Sequence, residues 1–240
     1  MDLASHLPAL PSKFPIGCLS LDRMTRGGFT AGQLALIYGE AATGKTTTVV
    51  QAAAGSAAKG LKVVYIDSDR SFTQQRLNQI AGSRSAEVSE LITLVFPETF
   101  SEQRRIVESL ENYVTPKLGM VIVDSISSLY RVAFSGADSI FNLNRDLNRQ
   151  VAYLSELASS RNIVCIITSQ VHSRLAPAAA DIEPVARRTM FHFPRLILRI
   201  KNTPKPSVRE FILERIDGSD NVRQTCLISL QENGLVDVSV

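Results

Sequence analysis

An apolar run at residues 33–38 breaks directly into the turn GEAATGKT at residues 39–46, and an Ala-rich stretch over residues 45–59 follows, closed by Gly60. A short run of large apolar residues reads as a buried strand, and an Ala-rich run ended by glycine reads as a helix. The turn between them fits G-x-x-x-x-G-K-[ST] in the context that this pattern requires. Its glycines let successive backbone N–H groups face inward as an anion nest, and the helix start adds the positive end of its dipole. The candidate phosphate-binding residues are therefore Gly39, Glu40, Ala41, Ala42, Thr43, Gly44, Lys45, Thr46 and Thr47. Lys45 brings a mobile positive charge to the β- and γ-phosphates, a catalytic as well as a binding role, and the Thr46 hydroxyl is placed to ligate magnesium. ATP and Mg²⁺ are the expected cofactors.

The rest of the chain repeats this alternation. Strands are expected at residues 62–66, 91–95, 120–123 and 163–168, with helices at 74–80, 101–113 and 142–160. The helix over 101–113 is given a weak capping pattern, Ser101 with Arg104. Short apolar strands separated by helices imply a parallel sheet covered on both faces. Beyond residue 170 the rhythm changes. Strand-like runs at 196–201, 209–215, 225–230 and 235–238 are joined by the turn signals Asp217-Gly218 and Asn233-Gly234, which predicts an antiparallel C-terminal extension. Residues 171–194 read as a loop. The fold class is thus α/β: a P-loop NTPase with a mainly parallel central sheet. Residues 1–15, interrupted by prolines, form a lead-in, and residues 16–240 form the core domain.

In open α/β sheets the ligand site lies beyond the carboxyl ends of the strands, so polar residues there are the remaining candidates. MVIVD ends in Asp124, which is placed to hold Mg²⁺ with Thr46. YIDSD ends the second strand with Asp67 and Asp69. Strand alternation puts both on one face, where one carboxylate could orient a water near the γ-phosphate. IVCIITSQ ends in Gln170, whose amide could sense that phosphate; a plain surface glutamine is the competing reading.

Bulk properties exclude little but point one way. The 240 residues are 45% hydrophobic and 20% charged, enough for a core without staples, and the formal net charge of +3 alone does not argue for nucleic acid. Cys18, Cys165 and Cys226 are widely spaced and odd in number, which argues against a disulfide or zinc framework and for a reducing compartment. The scattered His6, His172 and His192 make no metal set. No apolar run approaches the roughly 20 residues that span a bilayer, and no signal pattern opens the chain. A cytoplasmic protein, associated with the nucleoid if it binds DNA, is the expectation.

Several segments in this order resemble the RecA/RadA recombinase family, and within it the small archaeal members that are little more than the ATPase core. They are GCLSLD at 17–22 with Gly27-Gly28-Phe29, residues 33–46, YIDSDRSF at 65–72 with Arg76-Leu77, VIVDSISSLYR at 121–131, and IITSQV at 166–171. The resemblance covers nearly the whole chain from about residue 14. It implies a RecA-type core, with Asp124 as the second Walker acid and Gln170 as the nucleotide-sensing glutamine before the second DNA-binding loop. Asp69 falls where the family has its catalytic Glu. Asp is a methylene shorter, and catalytic geometry tolerates displacements near 1 Å poorly, so hydrolysis is expected to be slow. The family's N-terminal helical domain has no counterpart before residue 14, and no filament-assembly linker is evident, which favours an accessory or mediator role over long filaments.

The resemblance also marks two DNA-facing segments, residues 130–138 with Arg131, Phe134 and Gly136, and residues 171–190 with His172, Arg174, Arg187 and Arg188. From Arg187 to Arg209 the basic residues, Arg195, Arg199, Lys201 and Lys205 among them, are interrupted by no acid, and Phe191, His192 and Phe193 are interleaved. Basic groups neutralise phosphates and aromatic faces stack on bases. The alternative is the wet face of a half-exposed strand with the phenylalanines in the core. The implied partners are single-stranded DNA, a full-length recombinase and further copies of the chain. The implied activity is weak DNA-dependent ATP hydrolysis in recombination and repair. A KaiC-like regulatory ATPase acting on proteins, and a hexameric helicase-type motor, share this core and stay open as alternatives; Asp69 suits a fast motor poorly.

Overall fold

A computed structural model describes residues 10–134, 140–172, 183–184 and 187–238. In chain order the elements are β1 (Lys13–Phe14), α1 (Leu19–Met24), β2 (Phe29–Thr30), β3 (Leu34–Gly39), α2 (Lys45–Ala57), β4 (Lys62–Asp67), α3 (Gln74–Ala81), α4 (Ser85–Glu90), β5 (Ile92–Val95) and α5 (Phe100–Glu108). They continue with β6 (Leu118–Asp124), α6 (Ser128–Phe134), α7 (Ile140–Arg161), β7 (Val164–His172), β8 (Glu183–Pro184), α8 (Arg187–His192), β9 (Leu196–Asn202), β10 (Val208–Ile216), β11 (Ser219–Gln231) and β12 (Gly234–Asp237). The main sheet runs β12-β11-β10-β9-β3-β7-β6-β4-β5, with β8 paired to β7. From β9 to β5 every neighbour is parallel, while β9, β10, β11 and β12 pair antiparallel. The parallel sheet and its antiparallel extension stand as the strand patterns predict.

Both faces of the parallel strands are buried because alternate residues enter two different cores. Ala35 and Ile37, Val63 and Tyr65, and Met120 and Ile122 face the core that holds α2. Leu34 and Leu36, Val64 and Ile66, and Val121 and Val123 face the core that holds α5 and α7. A strand wetted on neither face must read as a continuous apolar run, which is why these strands show no alternation in the sequence. Polar side chains are then expelled to the strand ends. β7 lies between β3 and β6, and β4 lies beyond β6, so the carboxyl ends of all four converge.

The GCLSLD and Gly-Gly-Phe segments prove to be joinery. The Asp22 carboxylate accepts the backbone N–H groups of Ile16 (2.6 Å) and Gly17 (3.2 Å), and Gly27 N–H returns to Asp22 O at 2.6 Å. Gly28 has φ +96°, and a Cβ there would stand 2.1 Å from Phe14 O, so only glycine lets β2 lie against β1. Three details differ from the sequence reading. The expected helix 101–113 is α5 followed by a separate 3-10 turn, Leu110–Tyr113. Its cap is Thr99, whose side chain accepts from Glu102 N, and not Ser101. The expected loop 171–194 carries the last residues of β7, then β8 and α8.

Candidate functional site

The turn after β3 has the backbone of an anion nest. Ala42 has φ 58° and Gly44 φ 99°, both left-handed, so consecutive N–H groups turn toward one side. Gly39 is as tightly held: a Cβ there would stand 2.4 Å from Ile200 O and 2.9 Å from Thr43 Oγ1. Lys45 opens α2 and folds back, its Nζ donating to Gly39 O (3.1 Å) and Glu40 O (2.6 Å). Burial lowers its pKa, opposed by the nearby carboxylates of Asp124 and Asp69. An ammonium hydrogen-bonded, among the described residues, to carbonyls of its own loop, beside an open cavity of about 230 Å³ lined by Ala42, Gly44, Lys45, Thr46, Thr47 and Leu230, fits a phosphate. Glu40, Ala41 and Thr43 lie on the same turn, Thr43 buried with its hydroxyl on Glu40 O at 2.9 Å.

Asp124 ends β6 fully buried. Tyr65 Oη donates to its Oδ2 at 2.7 Å, Thr168 Oγ1 donates to its Oδ1, and Ser71 Oγ reaches Oδ2 at 3.4 Å. Burial raises its pKa, and the hydroxyls of Thr168, Tyr65 and Thr46 work against that rise. A buried carboxylate whose side-chain partners are neutral hydroxyls, next to the Thr46 hydroxyl, is a donor set that suits a hard divalent cation. Thr46 and Asp124, both expected from their motifs, meet here. Tyr65 and Thr168 come from strands on either side of β6 and have no pattern in the linear sequence that marks them.

The two carboxylates of YIDSD separate. β4 stops at Asp67, so alternation does not extend to Asp69, and the expectation of a shared face is corrected. Asp67 is fully buried and accepts Ser71 N–H (3.1 Å) and Phe72 N–H (2.9 Å), tying down the segment that follows β4. Asp69 is exposed, and its carboxylate lies close enough to the Lys45 ammonium to oppose the burial that lowers the lysine's pKa. Between them, Ser68 Oγ donates to Gln103 Oε1 (2.8 Å), and Gln103 Nε2 donates to Ile126 O (3.2 Å) and Gln150 Oε1 (3.0 Å). Both glutamines are fully buried. This network fastens the ends of β4 and β6 together. One signal was legible: Gln103 shares a helical face with Phe100 and Val107, so α5 turns a polar residue inward.

Gln170 stands in register with Gly39 across the β3–β7 pairing. Its Oε1 accepts Arg131 Nη2 at 2.9 Å, and its N–H donates to Ser127 Oγ at 3.3 Å. The glutamine is thus no plain surface residue: it joins the strand beside the phosphate turn to α6. Of the other DNA-contact candidates, Arg174 and Gly136 lie outside the described residues. Arg187 and Arg188 start α8, with side chains outside the described residues, as is that of His172. Phe134 is exposed at the end of α6. Much of the basic run is taken up by the fold. Arg195 donates to Asp217 O (2.6 Å), Arg199 lies 4.0 Å from Glu214 and over the Tyr38 ring, and Arg209 donates to carbonyls. Phe191 packs edge-on to Tyr38 at 5.4 Å. Arg76, whose role the sequence left open, links Thr47 Oγ1 (3.4 Å) to Gln231 O and Glu232 O. Among the described residues no three or more His, Cys, Asp or Glu side chains gather into a metal-binding group, and no helix is long and apolar enough to cross a membrane.

The sequence profile of a family described as Rad51 matches residues 13–238. A DNA repair and recombination protein RadB of Methanococcoides burtonii is 31% identical over 91% of this chain and 95% of its own. That of Thermococcus gammatolerans is 37% identical over 83% of this chain and 87% of its own. A crystal structure of the RadB recombinase superposes with a TM-score of 0.80 at 33% identity, covering 94% of this chain and all of that one.

The different settings of Asp67 and Asp69 give the first prediction. Asp67→Ala strands two backbone donors and lowers unfolding stability by about 2 kcal/mol, whereas Asp69→Ala leaves it within about 0.5 kcal/mol. Urea denaturation of the two variants beside the native chain checks this; equal losses would contradict the separation.

Proposed function

We propose that this chain, which belongs to the Rad51 family, is an ATP- and DNA-binding accessory protein of homologous recombination and repair. In this reading residues 16–240 are the ATPase core, with residues 1–15 as its lead-in. Residues 39–47 bind the nucleotide phosphates, and Thr46 with Asp124 holds Mg²⁺. When bound, ATP supplies a γ-phosphoryl group whose presence orders adjacent loops and whose loss releases them. Lys45 exchanges its two loop carbonyls for phosphate oxygens. Asp69, exposed at the mouth of the site, is the acceptor that orients or deprotonates water. Gln170 senses the γ-phosphate. The assigned partners are single-stranded DNA, through Arg131, Arg174, Arg187 and Arg188, together with a full-length recombinase and a second copy of this chain, in the cytoplasm at the nucleoid.

One observation carries the reading: Gly39 of the phosphate turn, Gln170 beside it and Arg131 of the first DNA-facing segment form a continuous connection through one strand pairing and one hydrogen bond of 2.9 Å. A ligand that recruits the Gln170 amide competes directly with Arg131, so occupancy at one end changes what the other end presents. That is a coupling free energy between two sites.

The coupling is tested by titrating labelled single-stranded DNA with the protein at several salt concentrations, with and without ATP and Mg²⁺. DNA affinity is expected to change several-fold with nucleotide, and Arg187→Ala with Arg188→Ala is expected to weaken binding and flatten its salt dependence. DNA binding indifferent to both would point to a protein-directed ATPase instead. The shorter carboxylate gives a separate expectation. Native steady-state ATP turnover is slow and Asp69→Glu raises it, because the added methylene carries the carboxylate toward the nucleotide. A fast native enzyme that Asp69→Glu slows would contradict this.

A further inference from the structure

The antiparallel extension does not stand apart from the phosphate turn; it touches it at three alternate residues. From the end of β9, Asn202 Nδ2 reaches Glu40 Oε2 at 3.4 Å. From β11, the Leu230 side chain lies where a Cβ on Gly44 would meet it at 3.0 Å. Between these, Arg209 of β10 sends Nη2 to Ala42 O at 3.3 Å. Its Nη1 donates to Pro206 O (2.6 Å) and Val208 O (3.0 Å), which fixes the guanidinium plane against its own hairpin. Among the described residues no carboxylate pairs with Arg209, and its Nε is buried without a hydrogen-bond partner. Arg209 is half-buried, and the hydrogen bonds of its guanidinium go to backbone carbonyls.

The residue it holds is the one in the turn that most needs holding. Ala42 has φ 58°, a left-handed conformation that costs a residue with a Cβ roughly 1 kcal/mol and that glycine adopts freely. Were Ala42 to relax to negative φ, its carbonyl would swing together with the Thr43 N–H, which shares its peptide plane, and the nest would lose its curvature. A hydrogen bond from a charged donor to the Ala42 carbonyl opposes that rotation. We infer that Arg209 is a positioning residue of the nucleotide site: from the C-terminal hairpin it holds Ala42 left-handed and so keeps the phosphate turn formed before nucleotide arrives. This rests on the phosphate-binding role proposed for residues 39–47, and it makes the hairpin part of the site.

A double-substitution cycle tests it, with fluorescent mant-ATP and Mg²⁺ as the probe and the dissociation constant as the readout. Arg209→Ala is expected to weaken binding roughly ten-fold, the scale of one charge-assisted hydrogen bond. In the Ala42→Gly background the same change is expected to cost less than about two-fold, because glycine needs no holding. If Arg209→Ala fails to fold, Arg209→Lys keeps the stem and charge without the fork and carries the same expectation in both backgrounds. Unchanged affinity in the Ala42 chain would overturn the inference. So would a full loss in both backgrounds, which would make Arg209 a direct phosphate contact. A native chain that binds no mant-ATP refutes the nucleotide reading itself, a result distinct from either.

Discussion

Burial of the parallel sheet on both faces is the constraint from which the site follows. With α2 on one side and α5 and α7 on the other, strands β3, β4, β6 and β7 have no wet face on which to place a polar residue. Chemistry is possible only where the strands end. The strand order brings Gly39, Asp67, Asp124 and Gln170 to one edge, with Asp67 opposite Asp124 and Gly39 opposite Gln170 in register. Register in a two-faced core is strongly specified, since a slip by one residue would exchange the two sets of core side chains. The polar groups at the edge are therefore set by the packing beneath them.

Two kinds of support hold that edge. Directly beneath, the hydroxyls of Tyr65 and Thr168 clasp Asp124 from neighbouring strands, and the buried pair Gln103 and Gln150 ties Ser68 to Ile126. Around the rim, Arg76 and Arg209 bind backbone carbonyls of the phosphate turn or of the hairpin beside it. Buried networks of this kind are rigid when fully satisfied. Gln150 Nε2 and Arg209 Nε are buried without a hydrogen-bond partner among the described residues.

What the sequence made legible was whatever is contiguous along the chain. The phosphate turn, its flanking strand and helix, Asp124 and the parallel character of the sheet all follow from local pattern, whereas the order of the strands does not. Resemblance extended this to Gln170 and to the family. What remained hidden was distant in sequence and close in space. Tyr65 and Thr168 reach Asp124 across 59 and 44 residues, and Gln103 meets Gln150 across 47. The equal treatment of Asp67 and Asp69 failed because alternation ends where β4 ends. The basic run from Arg187 to Arg209 looked uniform, yet Arg195, Arg199 and Arg209 each have a partner in the folded chain that is remote or beyond the run.

Everything proposed for this chain depends on the Lys45 ammonium leaving Gly39 O and Glu40 O for a phosphate. The direct measurement is the affinity for mant-ATP with Mg²⁺ of the native chain beside Lys45→Ala. A loss of at least roughly ten-fold is predicted, as one charge-assisted contact to phosphate is removed. Equal affinity of the two chains would contradict the account.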